Sequence, residues 1–405
     1  MELWYIRKNH GTEKLWQSFL VYRVKNETDP AIGRFVEIRK VAEDICHQTE
    51  SEYEETVNSL CWLALERGTY CPNYREGWNS TGLRENEASN PGLNLLSAAA
   101  YLGHIHLARR LLSEGNCPTA DNHIFPSPIQ LAAWVGNFDM VQLFQEHLPE
   151  FEELAPRYPL DDNWRGKTGP GSIKGAVLHG DMDMIRLAVY PPSRSTSDST
   201  NFSGQPFGLV DPKTLQGSDL QAALYCVKTW EAFQYIDAFF KESILLSDVA
   251  RTLLLARYAE LGNVEIVQHL LDAGADIHGG GTASNCNPLV IAARFYQEDI
   301  VDLLLERGAD PNNHAMQQRG SPLCAATAAG SLSIVRKLLD HGATVDKNTS
   351  WLITNAVKLE HTALVEFLLD SSIGSAEFWS SALREALTDG LDSMAELLQQ
   401  RGITA

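Results

Sequence analysis

The sequence predicts an all-α solenoid of stacked helix pairs. Three observations predict it: a motif that recurs at a fixed interval, two apolar helical stretches in each recurrence, and a glycine where each stretch must end. Leu270-Leu271-Asp272-Ala273-Gly274-Ala275-Asp276 is echoed by Leu304-Leu305-Glu306-Arg307-Gly308-Ala309-Asp310, then by Leu338-Leu339-Asp340-His341-Gly342-Ala343, so the glycines recur at 34-residue intervals. A period in the low thirties with two helices per period marks a stacked repeat. One such unit cannot bury its own apolar face, so the motif has meaning only as a train.

The fullest unit opens with Ser321-Pro322-Leu323-Cys324-Ala325-Ala326-Thr327-Ala328-Ala329-Gly330. Serine caps the orphan N–H groups of a helix start, and proline at the first helical position gives up a donor that would be unsatisfied anyway. The small alanine pair lets neighbouring units approach closely. Gly330 takes the left-handed conformation that ends the first helix, Ile334-Val335 with Leu338-Leu339 supply the apolar stripe of the second, and Gly342 ends that one. The run resembles the ankyrin repeat, whose T-P-L-H-x-A-A-x-x-G opens the first of two short helices. The resemblance implies an ankyrin-repeat solenoid with short β-turn fingers between units. With its unequal insertions and atypical helical N-terminal cap, the chain is similar to the irregular arrays encoded in large numbers by filamentous fungi.

Taken in order, residues 1–55 read as a helical leader that caps the end of the stack, because terminal units need a different outer face. Residues 56–190 hold N-terminal ankyrin-like units with an insertion at 149–172. Leu63 to Gly68, followed by Cys71-Pro72-Asn73, imitates Leu303 to Asn312 and reads as the back half of an atypical first unit. The next units are marked by Ala99-Ala100 and Gly103-His104, by Ala132-Ala133 and Gly136-Asn137, and by Ala176 and Gly180. Residues 191–218 are rich in Ser, Thr, Pro and Gly and read as a flexible insertion, with hydroxyls at Ser193, Ser195, Thr196, Ser197 and Ser199 beside Arg194 as possible phosphate acceptors.

Residues 219–250 read as a degenerate unit without its glycine, carried by Ala222-Ala223, Phe233 and Ile236. Residues 251–405 are the C-terminal ankyrin units, starting with Ala259, Gly262-Asn263 and Ile266-Val267. In the following unit Tyr296 stands where the glycine belongs. The last two, at Ala356 with His361 and at Ala386 with Gly390, shorten to a 30-residue interval, which predicts helix pairs with a trimmed finger. A stack of this kind buries its core one interface at a time, so one elongated domain is expected despite the 405-residue length.

With 52 acidic against 33 basic residues, the net charge of -19 repels a phosphate backbone, and no Lys/Arg cluster offsets it. No direct nucleic-acid binding is expected. The seven cysteines (Cys46, Cys61, Cys71, Cys117, Cys226, Cys286, Cys324) are scattered and form no Cys-x-x-Cys pair, which suits buried thiols in a reducing compartment. Polar residues enter at Glu2, Arg7 and Lys8 before any apolar run long enough for secretion, and no stretch approaches about 18 uninterrupted apolar residues. A soluble monomer of the cytoplasm or nucleus, with no membrane contact, is expected.

No chemical constellation stands out, and no cofactor or metal is expected. Gly166-Lys167-Thr168 ends like a phosphate-binding loop, but Asp161 stands where that loop needs its earlier glycine. The same insertion gathers Asp161, Asp162, Trp164, Arg165 and Lys167, which read either as a functional loop or as a solvated connector. His104 and His106 are two apart, the wrong spacing for a helical metal pair. In the family that the sequence resembles, the two residues before the turn glycine face the concave groove. Those pairs are Tyr101-Leu102, Trp134-Val135, Leu178-His179, Glu260-Leu261, Arg294-Phe295, Ala328-Ala329, Lys358-Leu359 and Thr388-Asp389. Of these, Tyr101, Trp134, His179, Glu260, Arg294, Phe295 and Lys358 are the candidate partner-binding residues, the aromatics and Arg294 being the types that dominate interface energetics. The reading is a non-enzymatic scaffold or adaptor that binds a protein through its groove and finger tips. The alternatives are a transcriptional co-regulator acting through a DNA-binding partner, as in relatives tied to fungal specialised-metabolite clusters, and an enzyme with its pocket at residues 159–172.

Overall fold

The unit with the fullest motif starts as its chemistry demands. Ser321 accepts the Cys324 N–H at 3.3 Å, Pro322 fills the first turn, and the helix ends at Gly330 with φ of 78°. Ser331 then accepts the Ile334 N–H and opens the second helix, whose Ile334, Val335 and Leu338 are buried. Asparagine does the same capping elsewhere: Asn90 accepts from Leu93, Asn137 from Met140 and Asn263 from Ile266, while Asn287 takes both Leu289 and Val290.

The computed structural model describes residues 13–28, 33–67, 90–120, 124–147, 170–189, 223–241, 248–279, 287–313, 320–345 and 351–404. Two compact units divide the chain, Met1–Leu245 and Leu246–Ala405. The division falls beside the degenerate unit, where the stacking motif is weakest.

The first unit contains α1 (Glu13–Asn26), α2 (Gly33–Thr49), α3 (Tyr53–Arg67), α4 (Pro91–Leu102), α5 (Ile105–Ser113), α6 (Pro128–Trp134), α7 (Phe138–Glu146), α8 (Pro170–His179), α9 (Met182–Val189) and α10 (Trp230–Lys241). The second contains α11 (Asp248–Leu261), α12 (Val264–Asp272), α13 (Pro288–Arg294), α14 (Glu298–Glu306), α15 (Pro322–Ala329), α16 (Leu332–Asp340), α17 (Trp351–Lys358), α18 (Thr362–Asp370), α19 (Ala376–Asp389) and α20 (Asp392–Gln400). No strand occurs among the described residues. The fold is the expected all-α repeat solenoid of helix pairs.

First helices stack on first helices, α4 on α6 on α8 in one unit and α11 through α13, α15, α17 and α19 in the other. Alanines make this possible: Ala99, Ala100, Ala132, Ala133, Ala292, Ala293, Ala325 and Ala326 are all buried. A close approach is that of α8 on α6, where a Cβ on Gly175 would stand 2.1 Å from the backbone oxygen of Gln130. Second helices close the other side with the buried pairs Ile266-Val267, Ile300-Val301 and Ile334-Val335.

At the N-terminus, α2 lies in the segment read as a leader, yet it packs on α4 as the other first helices pack on one another, and on α3 across a left-handed turn at Glu50. The degenerate unit keeps its apolar skeleton in buried Ala223, Leu224, Phe233 and Ile236. Finger turns lie at 277–278 and 311–312, and Asn312 ties its finger to the next by donating to the Gly342 carbonyl and accepting the Thr344 N–H, both at 2.9 Å. Near the C-terminus only residues 371–375 join α18 to α19, and α19 is lengthened to 14 residues, so the missing finger has become helix. The flexible insertion at 191–218, the segment from Gly68 to Asn73, and residues 149–169 of the earlier insertion lie outside the described residues.

Candidate functional site

A helix end leaves its last carbonyls without intrahelical partners. In this chain those of the first helices are met by long side chains from the neighbouring repeat. His179 Nδ1 donates to the Trp134 carbonyl at 3.2 Å, Lys228 Nζ to that of Leu178 at 2.8 Å, and Gln297 Nε2 to that of Glu260 at 3.0 Å. Tyr296 reaches the other way and donates its hydroxyl to the Ala329 carbonyl. These bonds join turn edges, where first helix passes to second, of neighbouring repeats within each unit.

Of the predicted residues in the first unit, Tyr101 and Trp134 come together with ring centroids 6.2 Å apart and planes tilted by 50°, both half-buried, and exposed His179 joins them through the Trp134 carbonyl. Leu178, expected on the surface beside His179, is buried instead, because its side chain completes the apolar face of α8. In the second unit Glu260 is half-buried and pairs with Arg257 at 3.3 Å, while Arg294 and Phe295 are half-buried at the end of α13. Lys358 is exposed and engages Glu385 at 2.5 Å and Asp389 at 3.8 Å; the hydrogen bond to Glu385 holds its ammonium above the usual lysine range.

The exposed apolar side chains on this edge include Val135 (39%) in the first unit and Leu261 (46%), Tyr296 (60%) and Leu359 (49%) in the second. Tyr296 was legible only as a missing glycine. It adopts the glycine's own left-handed conformation, φ 60°, and this points the phenol along the edge rather than into the core. A large aromatic at a position that the motif reserves for glycine is the signal that could have found it.

Chemistry has little to work with. Near His104 an open cleft of about 400 Å³ is lined by Gln48, Thr49, His106 and Arg110. There His104 Nε2 lies 3.3 Å from Ser51 Oγ, which meets Thr49 Oγ1 at 2.7 Å, and burial pushes the His104 imidazole below its ordinary pKa. Cys61, Cys226 and Cys324 are buried, and burial pushes the Cys61 thiol up to about 12. Among the described residues no group of three His, Cys, Asp or Glu side chains could hold a metal ion, and no helix is long and apolar enough to cross a membrane. Asp161, Asp162, Trp164, Arg165 and Lys167 lie outside the described residues.

The ankyrin-repeat family model, in three copies, matches residues 240–315. No curated protein matches the chain. Ankyrin repeats are protein–protein interaction modules, typically without enzymatic activity of their own. The matched segment holds the glycine-ended and asparagine-capped helix pairs described above, and the same construction recurs on either side of it: this chain contains ankyrin repeats.

Proposed function

We propose that the protein is a non-enzymatic scaffold that recognises a protein partner through the groove-facing turn edge of its repeats and the adjoining finger tips. The observation that carries this reading is the outward row Leu261, Tyr296 and Leu359 in a unit whose core leucines Leu270, Leu304 and Leu338 are buried. Apolar side chains held at solvent on a rigid edge are the groups from which binding energy is drawn, about 2 kcal/mol or more for a central anchor. The half-buried Arg294 and Phe295 beside the row, and Tyr101 with Trp134 in the first unit, belong to the same class of anchor. A cytoplasmic adaptor and a nuclear co-regulator acting through a DNA-binding protein both use such an edge.

Proximity labelling in the source cell, comparing the parent with the triple variant Leu261→Ser, Tyr296→Gly and Leu359→Ser, tests the proposal. Loss of a defined set of labelled proteins, with melting unchanged, is the expected result, and the identity and compartment of that set separate adaptor from co-regulator. An unchanged set would sink the reading.

A further inference from the structure

The charges around the outward row restrict what can sit on it. Glu265 and Asp299 lie in the first turns of α12 and α14, Glu360 forms the left-handed turn after α17, and Asp392 lies in the first turn of α20; all four are exposed. None of the four pairs with a cation among the described residues. Of the cations near them, Lys358 is spent on Glu385 and Asp389, Lys337 on Asp302 at 2.6 Å and Glu298 at 3.2 Å, and Arg257 on Glu260, while Arg294 is half-buried at the end of α13. The field facing outward along Leu261, Tyr296 and Leu359 is therefore negative, in a chain of net charge -19.

Spacing restricts the partner further. Packed helices stand about 8–10 Å apart, so a row with one anchor per first helix repeats at roughly that distance. Seven residues of an α-helix rise about 10.5 Å and return to nearly the same face. A β-strand covers about 10 Å in three residues and turns successive anchors to opposite faces. At the third position the row has only Ala329, with the Tyr296 phenol laid toward its carbonyl, which leaves room for a larger side chain from the partner.

We propose, on the basis of the protein-recognition reading above, that the occupant of this edge is a basic amphipathic helix: apolar residues at seven-residue spacing, flanked by Lys and Arg that meet Glu265, Asp299, Glu360 and Asp392. Such a helix spans the row from Leu261 to Leu359 with about 20 residues, three helix steps at 1.5 Å rise. Its cations gain from the edge's field and speed the encounter, while nucleic acid and acidic segments are repelled.

The test uses the full chain and a synthetic 21-residue helical peptide with leucine at every seventh position flanked by lysine and arginine, beside a twin in which every cation is glutamate. Binding is measured by fluorescence anisotropy at two salt concentrations. The cationic peptide is expected to bind the parent, more weakly at high salt. Its affinity should fall by about tenfold or more both for Glu265→Lys/Asp299→Lys/Glu360→Lys and for Leu261→Ser/Tyr296→Gly/Leu359→Ser. Equal binding of the twin, no binding of the cationic peptide, or unchanged affinity for the charge-reversed variant overturns the proposal. If the peptide fails while the apolar triple variant still loses its labelled cellular proteins, the partner chemistry is wrong and protein recognition stands. If that variant keeps them all, protein recognition falls as well.

Discussion

The imidazole of His361 occupies the space that a side chain on Gly330 would need: a Cβ there would stand 2.7 Å from the ring's Cε1. The same relation holds between Gly262 and Gln297, and between Gly136 and His179. The turn glycine thus answers two demands, a positive φ and the close approach of the next repeat.

These two demands are separable by mutation. Gly330→Ala alone is expected to cost about 1–2 kcal/mol for the left-handed conformation, plus the cost of displacing the His361 ring. In a His361→Ala background only the conformational part should remain. Urea unfolding of the parent, both single variants and the double variant gives the coupling directly. Additivity within about 0.5 kcal/mol would show that the ring does not press on Gly330.

Tyr296 shows the converse case, a side chain held where glycine is the easy choice. Tyr296→Gly relieves about 1–2 kcal/mol of left-handed strain and gives up the hydroxyl bond to Ala329, worth about 0.5–1.5 kcal/mol net. The two terms oppose, so stability should change by less than about 1 kcal/mol. Tyr296→Val keeps the strain, worsens it with a β-branched side chain, and loses the bond. Its midpoint should fall clearly below that of Tyr296→Gly in thermal unfolding, and equal midpoints would mean that the turn tolerates any residue.

The sequence made the repeat legible because period, cap and glycine are local signals. Ser321, Pro322 and Gly330 each say the same thing about one helix. The contents of the turn edge were less legible, since whether a residue before the glycine faces water depends on its neighbour in the stack. Leu178 and Lys358 both stand two residues before their turns, yet Leu178 is buried and Lys358 is exposed. The role of α2 was hidden for a different reason: Glu50, like Tyr296 and Glu360, makes its turn left-handed without the glycine that announces most of the others.

Gly175 has a negative φ and a helical place, so its need is purely steric. With a Cβ it would meet the Gln130 carbonyl oxygen at 2.1 Å, and that oxygen belongs to backbone that cannot step aside. Gly175→Ala, which a helix interior would otherwise welcome by about 1 kcal/mol, is expected to destabilise the first unit, overpacking costing about 1–3 kcal/mol. Hydrogen exchange should show faster exchange in α6 and α8. A more protected α8 would mean that the two helices are not in close contact.

The Cys61 thiol gives a pH signature. Its folded-state pKa is pushed up to about 12 from an ordinary 9.0, so the fold favours the neutral thiol. The contribution is fully present below pH 9 and is lost as pH rises toward 12, with a slope of up to about 1.4 kcal/mol per pH unit from this group. Cys61→Ala should flatten the fall in urea stability over that range. The same burial predicts that a thiol reagent at neutral pH modifies half-buried Cys46 and Cys117 before Cys61, Cys226 and Cys324.

The sharpest contrast lies between two leucines of the second unit. Leu304 is fully buried on α14, between the stacked second helices, and Leu359 stands at the turn edge with half its surface in water. Leu304→Ala removes apolar contact and leaves a cavity that a rigid stack cannot close, at a cost of about 2–5 kcal/mol. Leu359→Ser removes no buried contact of comparable size and should shift stability by no more than about 0.5 kcal/mol. Affinity for the cationic peptide should reverse the order, falling for Leu359→Ser and changing for Leu304→Ala only as far as the unit unfolds. Melting and anisotropy on the same two proteins decide the matter. If Leu359→Ser melts as early as Leu304→Ala, the leucine belongs to the core and the turn edge loses its last anchor.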